Sequence, residues 1–390
     1  MDLQDQDIVV VDNAEGDKEG PNQIGFNRVR RIARGVNGDD DVGVDNTTDE
    51  TDAFRGEVIV DKATANTLKS RLTTIFLPIV YIMVFAVGLP ANTISLYALL
   101  IRIKEVYLAR IYMVNLSLSN IIFAIWIPLK IAYHFNGNDW IYGEGLCKVF
   151  VGFFYGNMYC SILFITGLSV HRCHTISSPF SDKKRDSKVA IGVCVSIWVF
   201  ILTTTIPLYQ YDHTVRIRDL NITTCHDVSG ISDLKDPFTS VMYPYYYFMI
   251  MFTIVFLIPC IVIVVAFIHY WNLKKCMIHN VTTAAGKKRD KNVVVMLIVV
   301  VTFLVCFIPS NIMLVIHYYL LSIWGVNYGY DFYITSLCLA SLNICLDPVL
   351  YYGMSDYFKS HTKNILLCRS TRTADKMAYL AKCSSVRRKE

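Results

Sequence analysis

Seven long apolar runs, separated by short polar segments, dominate the chain. They lie at about 72–101, 109–134, 147–176, 188–210, 241–271, 292–320 and 330–353. Each is near the twenty or so residues that an α-helix, rising 1.5 Å per residue, needs to cross a bilayer. Lipid offers the backbone no hydrogen-bond partner, so the runs must be helical. Prolines 90, 128, 207, 259, 309 and 348 sit inside or near the ends of the runs, a placement that packed membrane helices tolerate. The expected fold class is an all-α membrane protein, a seven-transmembrane-helix bundle. The run from Cys147 to Ile176 is its organising element. It opens on a cysteine, passes more than twenty residues without a full charge after Lys148, and closes on His171-Arg172.

Composition agrees with this pattern. The chain is 54% hydrophobic and 18% charged, with a mean hydropathy of +0.40, too apolar for a soluble protein of this size. Lysine and arginine crowd the loops after runs one (Arg102, Lys104, Arg110), three (Lys183, Lys184, Arg185, Lys188) and five (Lys274, Lys275, Lys287, Lys288, Arg289, Lys291), while the alternate loops are poorer in them. The positive-inside rule then places the N-terminus outside the cell and the C-terminus in the cytoplasm of a multi-pass plasma membrane protein. The short apolar stretch Ile8–Val11 is flanked by acids and too brief for a signal peptide, so the expectation is either that the first span serves as its own export signal or that the gene model is incomplete. Basic residues beside apolar runs exclude a nucleic-acid partner. Paired intramembrane charges and an internal repeat, which a transporter or channel would show, are absent from the pattern. No lysine in 330–353 suits a retinal protein, and no nucleophile–base or metal constellation suggests an enzyme or a cofactor.

Domain limits follow. Residues 1–71 lack periodicity and read as a disordered extracellular tail, 72–353 as the bundle, 354–367 as a short cytoplasmic amphipathic helix on the inner leaflet, and 368–390 as a cytoplasmic tail. The amphipathic helix carries Tyr357, Phe358, His361, Ile365 and Leu366 at helical spacing. Cys368 follows it as a candidate lipidation (palmitoyl) site. Most of the twelve cysteines lie inside apolar runs. Cys147, at the outer end of run three, and Cys225, in the loop between runs four and five, are predicted to pair. The sequons at Asn46 and Asn221 both fall on the expected outer side.

The local motifs carry a resemblance. Gly88-Leu89-Pro90-Ala91-Asn92 resembles a GxxxN signature, and Leu116-Ser117-Leu118-Ser119-Asn120 stands where LAxAD is usual. Trp140 resembles a first-outer-loop tryptophan. Phe303, Cys306, Phe307 and Pro309 match FxxCWxP with Phe for Trp, and Asp347-Pro348-Val349-Leu350-Tyr351 resembles NPxxY. These are marks of rhodopsin-like G-protein-coupled receptors. Leu220–Val228 is similar to the second outer loop of the protease-activated receptors. Leu72–Tyr81, Gly152–Cys160 and Leu366–Ser370 are similar to their trypsin-responsive subtype two. The resemblance covers about 72–372.

What the resemblance implies is specific. A trypsin-like serine protease outside the cell cuts the tail, and the new N-terminus folds back as a tethered agonist. The tract Asn27–Gly35 offers Arg28, Arg31 and Arg34. The reading favours a cut between Arg34 and Gly35, which exposes Gly35-Val36-Asn37-Gly38. The following acids (Asp39 to Asp41, Asp45, Asp49, Glu50, Asp52) read as a solvated linker. The pocket implied is Tyr81, Tyr155, Tyr318, Tyr330 and Tyr333, with Asp227 and His226 beside Cys225 to receive the free amine. Intramembrane charge is costly, about 2.5–3.5 kcal/mol on insertion scales, so Asp347 and Arg172 read as functional. Arg172, Phe307, Asp347, Pro348 and Tyr351 are the implied switch toward a heterotrimeric G protein and calcium release, with arrestin and membrane lipid as further partners. Two departures stand out: His171-Arg172-Cys173 lacks the usual acid beside the arginine, and Asn120 replaces a sodium-binding aspartate. A peptide receptor with a diffusible ligand is the alternative.

Overall fold

The computed structural model describes residues 57–58, 60–102, 108–177, 183–210, 212–226, 243–278, 297–324 and 329–354. Among these are seven helices long and apolar enough to cross a membrane: Lys62–Ile101, Ala109–Phe135, Gly143–Thr175, Asp186–Gln210, Tyr243–Leu273, Leu297–Ile323 and Tyr330–Leu350, here spans one to seven. Span three is the hub. Its apolar window is 72% buried, against 28% for span four, so span three lies within the bundle while span four turns most of its surface to lipid.

The prolines shape the helices in a regular way. Four wide π turns, Leu72–Phe76, Val84–Gly88, Phe252–Leu257 and Phe303–Phe307, each end two residues before a proline (Pro78, Pro90, Pro259, Pro309). Proline has no N–H to donate, and its ring crowds the carbonyl four residues back. Widening the preceding turn relieves the crowding without breaking the helix. Pro128 sits instead at the start of Ile127–Phe135, after a break in span two.

Two features depart from the sequence reading. First, regular structure is present before residue 71, within the described residues 57–58 and 60–70. Strand β1 (Glu57–Val58) is followed by helix α1 (Lys62–Lys69), whose N-cap Asp61 accepts from the Thr64 backbone N–H at 3.1 Å. Polar composition hid this, because α1 buries only one strip, Thr64 and Leu68. Second, a small sheet accompanies the helices. β2 (Thr214–Ile217) and β3 (Ile222–Cys225) form an antiparallel hairpin, and β1 pairs parallel to β2. The turn closes on Asn221 in the left-handed region, φ 50°, a conformation that asparagine tolerates.

The hairpin is tied down on every side. Cys225 is bonded to Cys147. Glu144 accepts from the backbone N–H groups of His213 (2.7 Å) and Thr214 (2.8 Å). On the β3 edge, Trp140 N–H donates to the Thr223 carbonyl at 2.6 Å, and Thr223 N–H donates to Asp139 at 2.8 Å. Both strand edges therefore have partners. The amphipathic helix 354–367, Cys368 and the tail beyond lie outside the described residues apart from Met354, as do Asn46 and the segment Arg34 to Gly38.

Candidate functional site

At the hairpin end of the bundle a cavity opens among spans one, two, three and seven, with Tyr81, Lys130, His134, Phe150, Phe154 and His226 among its walls. Of the residues singled out from sequence, Tyr81 and His226 line it directly. Tyr81 stacks on His134, centroids 5.7 Å apart and 15° between planes. The Tyr155 hydroxyl and His226 Nε2 share a hydrogen bond of 2.8 Å. From Tyr155 a chain of rings crosses the bundle, through Phe248 at 5.1 Å to Tyr318 at 4.7 Å. His317 continues it, lying flat on Tyr333 at 4.0 Å. Tyr330 is buried at the start of span seven. Tyr155, Tyr318 and Tyr333 are thus linked in one aromatic floor, through Phe248 and His317. Asp227 lies outside the described residues.

Lys130 was missed in the sequence reading, although a charge inside an apolar run was signal enough. It is 5% exposed, and its amino group sits 4.4 Å from the centre of the Tyr133 ring and 5.8 Å from that of Phe150. The electron-rich ring faces replace part of the cation's hydration.

The two loop histidines set the electrostatics of the hairpin base. The His213 and His226 rings meet edge to face at 5.1 Å. Burial pushes the His226 imidazole well below the ordinary histidine range, helped by His213, Lys130 and His317. Burial also lowers His213, with Lys148 acting the same way and the Leu208 carbonyl, Glu144 and Asp212 opposing. Both rings are therefore neutral in the folded protein, and below about pH 6.5 the unfolded chain binds more protons than the fold. Stability is expected to hold above that pH and to fall as the pH drops toward 5. Thermal unfolding of the detergent-solubilised protein across this range checks it, and His226→Gln should flatten the slope.

Midway along the bundle a network of amides joins four spans. Asn120 of span two donates to Asp347 Oδ2 (2.8 Å) and to Asn92 Oδ1 (3.1 Å), and its own oxygen accepts from Asn157 at 2.9 Å. Asn92 also donates to the Ile344 carbonyl at 2.8 Å, and Asn343 donates to the Ser161 hydroxyl at 2.9 Å. All of these side chains are fully or almost fully buried. By the resemblance, Asn120 stands where an aspartate would help to hold a sodium ion, a departure that puts such a site in doubt. The donor set does not fit one held that way. Asn120 offers a single oxygen, already accepting from Asn157, and turns one N–H toward the Asp347 carboxylate and the other toward Asn92.

At the opposite end, Arg172 is half-buried. The neighbouring Cys173 thiol donates to the Ala266 carbonyl at 3.0 Å, tying span three to span five beside the buried Tyr270. Phe307 is fully buried and edge-on to Phe303 at 5.2 Å, and Pro348 lies inside the last helix, Asn343–Met354. Tyr351 is placed on that helix by its backbone.

Residues 91–351 match the model of the 7 transmembrane receptor (rhodopsin family). The chain is 46% identical over 318 residues to proteinase-activated receptor 2 of Bos taurus, and 44% identical over 318 residues to that of Homo sapiens, covering 82% of this chain and 78% of each relative. It is 34% identical over 313 residues to proteinase-activated receptor 1 of Xenopus laevis, covering 80% of this chain and 71% of that one. The chain belongs to the proteinase-activated receptor family. This receptor is accordingly a multi-pass plasma membrane protein of the rhodopsin-like class and a signalling protein rather than an enzyme.

Proposed function

We propose that this receptor is switched on by proteolysis of its tail, which lies outside the cell, and that it signals through a heterotrimeric G protein to calcium release. The observation that carries the reading is the 46% identity over 318 residues to a proteinase-activated receptor, joined to a tail that holds a tryptic tract, Asn27–Gly35. A trypsin-like serine protease cuts after Arg34. Gly35-Val36-Asn37-Gly38 then becomes the agonist, its amine received by Asp227 and His226 and its side chains by the floor of Tyr81, Tyr155, Tyr318, Tyr330 and Tyr333. Tethering makes the binding intramolecular, at effective concentrations on the order of mM, so a weak peptide suffices.

At the cytoplasmic end, Arg172, Phe307, Asp347, Pro348 and Tyr351 form the switch that admits the G protein, and arrestin binds the same end. Cys368 is acylated into the inner leaflet after the 354–367 helix, and Asn46 and Asn221 carry glycans. Asn221 is exposed at the hairpin tip, its amide oxygen accepting from Arg216 at 3.0 Å, which supports its access to the glycosylation machinery.

Calcium release in transfected cells tests the reading. Trypsin is expected to activate the unaltered receptor, and Arg34→Ala is expected to abolish the response at equal surface expression. Sequencing the new N-terminus identifies the cut. Trimming at Arg34 with no response sinks the reading. A response to free peptide without any to protease would make this a receptor for a diffusible ligand.

A further inference from the structure

The tail is fixed to the hairpin just before it enters span one. Glu57 lies opposite Arg216 and Val58 opposite Ile217, in parallel. Two paired residues alone would fray, but α1 follows at once. It buries Thr64 (0% exposed) and Leu68 (1%), and the Leu68 carbonyl accepts from the Asn138 side chain at 2.6 Å.

The direction of β1 carries the argument. In the hairpin, Thr214 pairs with Cys225 and Ile217 with Ile222. Cys225 is bonded to span three through Cys147, so the Thr214 end of β2 is rooted at the cavity mouth. The Ile217 end leads to the turn at Arg218–Leu220. A strand parallel to β2 therefore runs from mouth to turn. β1 therefore begins, at Glu57, on the side nearer the cavity.

We propose that β1 and α1 are a permanent root for the tail, which cleavage does not release, and that the parallel strand aims the freed arm over the mouth. The proposal rests on the proteolytic reading above. It shortens the working tether to Gly35–Gly56, 22 residues, in place of the 37 from Gly35 to Arg71. For a flexible chain this cuts the root-mean-square reach from roughly 30–36 Å to roughly 23–28 Å. Effective concentration varies as about the −3/2 power of tether length, so it rises about twofold. The larger gain is aim, because the arm starts where its target lies.

A double variant, Glu57→Cys with Arg216→Cys, tests the root. Mass spectrometry of receptor recovered from the cell surface should show the new disulfide formed before any protease is added. The cross-linked receptor should answer trypsin within about twofold of the unaltered one, because the root has no need to leave. Failure of the bridge to form in surface receptor overturns the proposal. So does a tenfold or greater loss of protease potency on cross-linking, which would make β1 a cover that must be displaced. Hydrogen exchange on the unaltered receptor gives a second measure that needs no variant. The amides from Val58 to Leu68 should exchange slowly both before and after the tryptic cut, and fast exchange after the cut overturns the root. A silent response of the unaltered receptor to trypsin would sink the proteolytic reading alone, since bridge formation and exchange still report on the root.

Discussion

Cys225→Ser is expected to destabilise the receptor by about 4–5 kcal/mol. That is the chain-entropy value for opening a loop whose ends stand 78 residues apart. The loss exceeds what most single substitutions cause, and it falls on a loop with other duties. His226 follows Cys225 directly and reaches Tyr155, while His213 and Thr214 are held by Glu144 across the strand. Without the bridge, these contacts, the Asp139 and Trp140 bonds to Thr223 and the β1 pairing must hold the hairpin over the cavity. Surface expression should drop sharply, and the unfolding midpoint of what remains should fall. Cys147→Ser should behave alike, and the double variant should be no worse than either single one, because both remove the same bond. Additive losses in the double variant would show that the two thiols contribute separately.

Asn120→Leu is expected to cost about 3–5 kcal/mol. Leucine keeps the branched outline of asparagine but is bulkier, so some crowding adds to the loss of the hydrogen bonds. Asn92 Oδ1 and Asp347 Oδ2 each lose the donor that Asn120 supplies, and Asn157 loses an acceptor. Asn157 retains the Ser119 hydroxyl at 3.2 Å, but the Asp347 carboxyl is 0% exposed and has no second donor among the described residues. A buried polar group without a partner carries its full desolvation penalty. The unfolding midpoint in detergent should fall markedly, and the double variant Asn120→Leu with Asp347→Leu should recover part of the loss by removing the stranded carboxyl. A further fall in the double variant would mean that Asp347 has another essential partner.

The spans were legible because lipid leaves the backbone a single solution and length then does the rest. The bridge was legible because Cys147 opens run three and Cys225 lies in the loop between runs four and five, away from the cysteines inside the runs. Other features were hidden for identifiable reasons. Asn157 and Asn343 are isolated polar residues in apolar runs. Nothing local indicates that Asn157 reaches Asn120, 37 positions away, or that Asn343 reaches Ser161, 182 away. The tail beyond Val60 is polar in composition, yet α1 needs only Thr64 and Leu68 to dock. Lys130 was visible as a charge within span two, but its contacts with the Tyr133 and Phe150 ring faces are ones that no charge pattern reveals. The aromatic floor was legible as a set of tyrosines. Its order was not, because Phe248 and His317, which link them, lie on spans five and six without a motif.

The filled edges of the hairpin bear on how these molecules share a crowded bilayer. A bare ribbon standing on the surface would be a template on which neighbouring copies could zip together, strand to strand. Here the tail occupies one margin at Arg216 and Ile217, and the loop of Asp139 and Trp140 occupies the other at Thr223. Each copy thus brings its own stoppers, and high density at the surface need not lead to clumping through this ribbon.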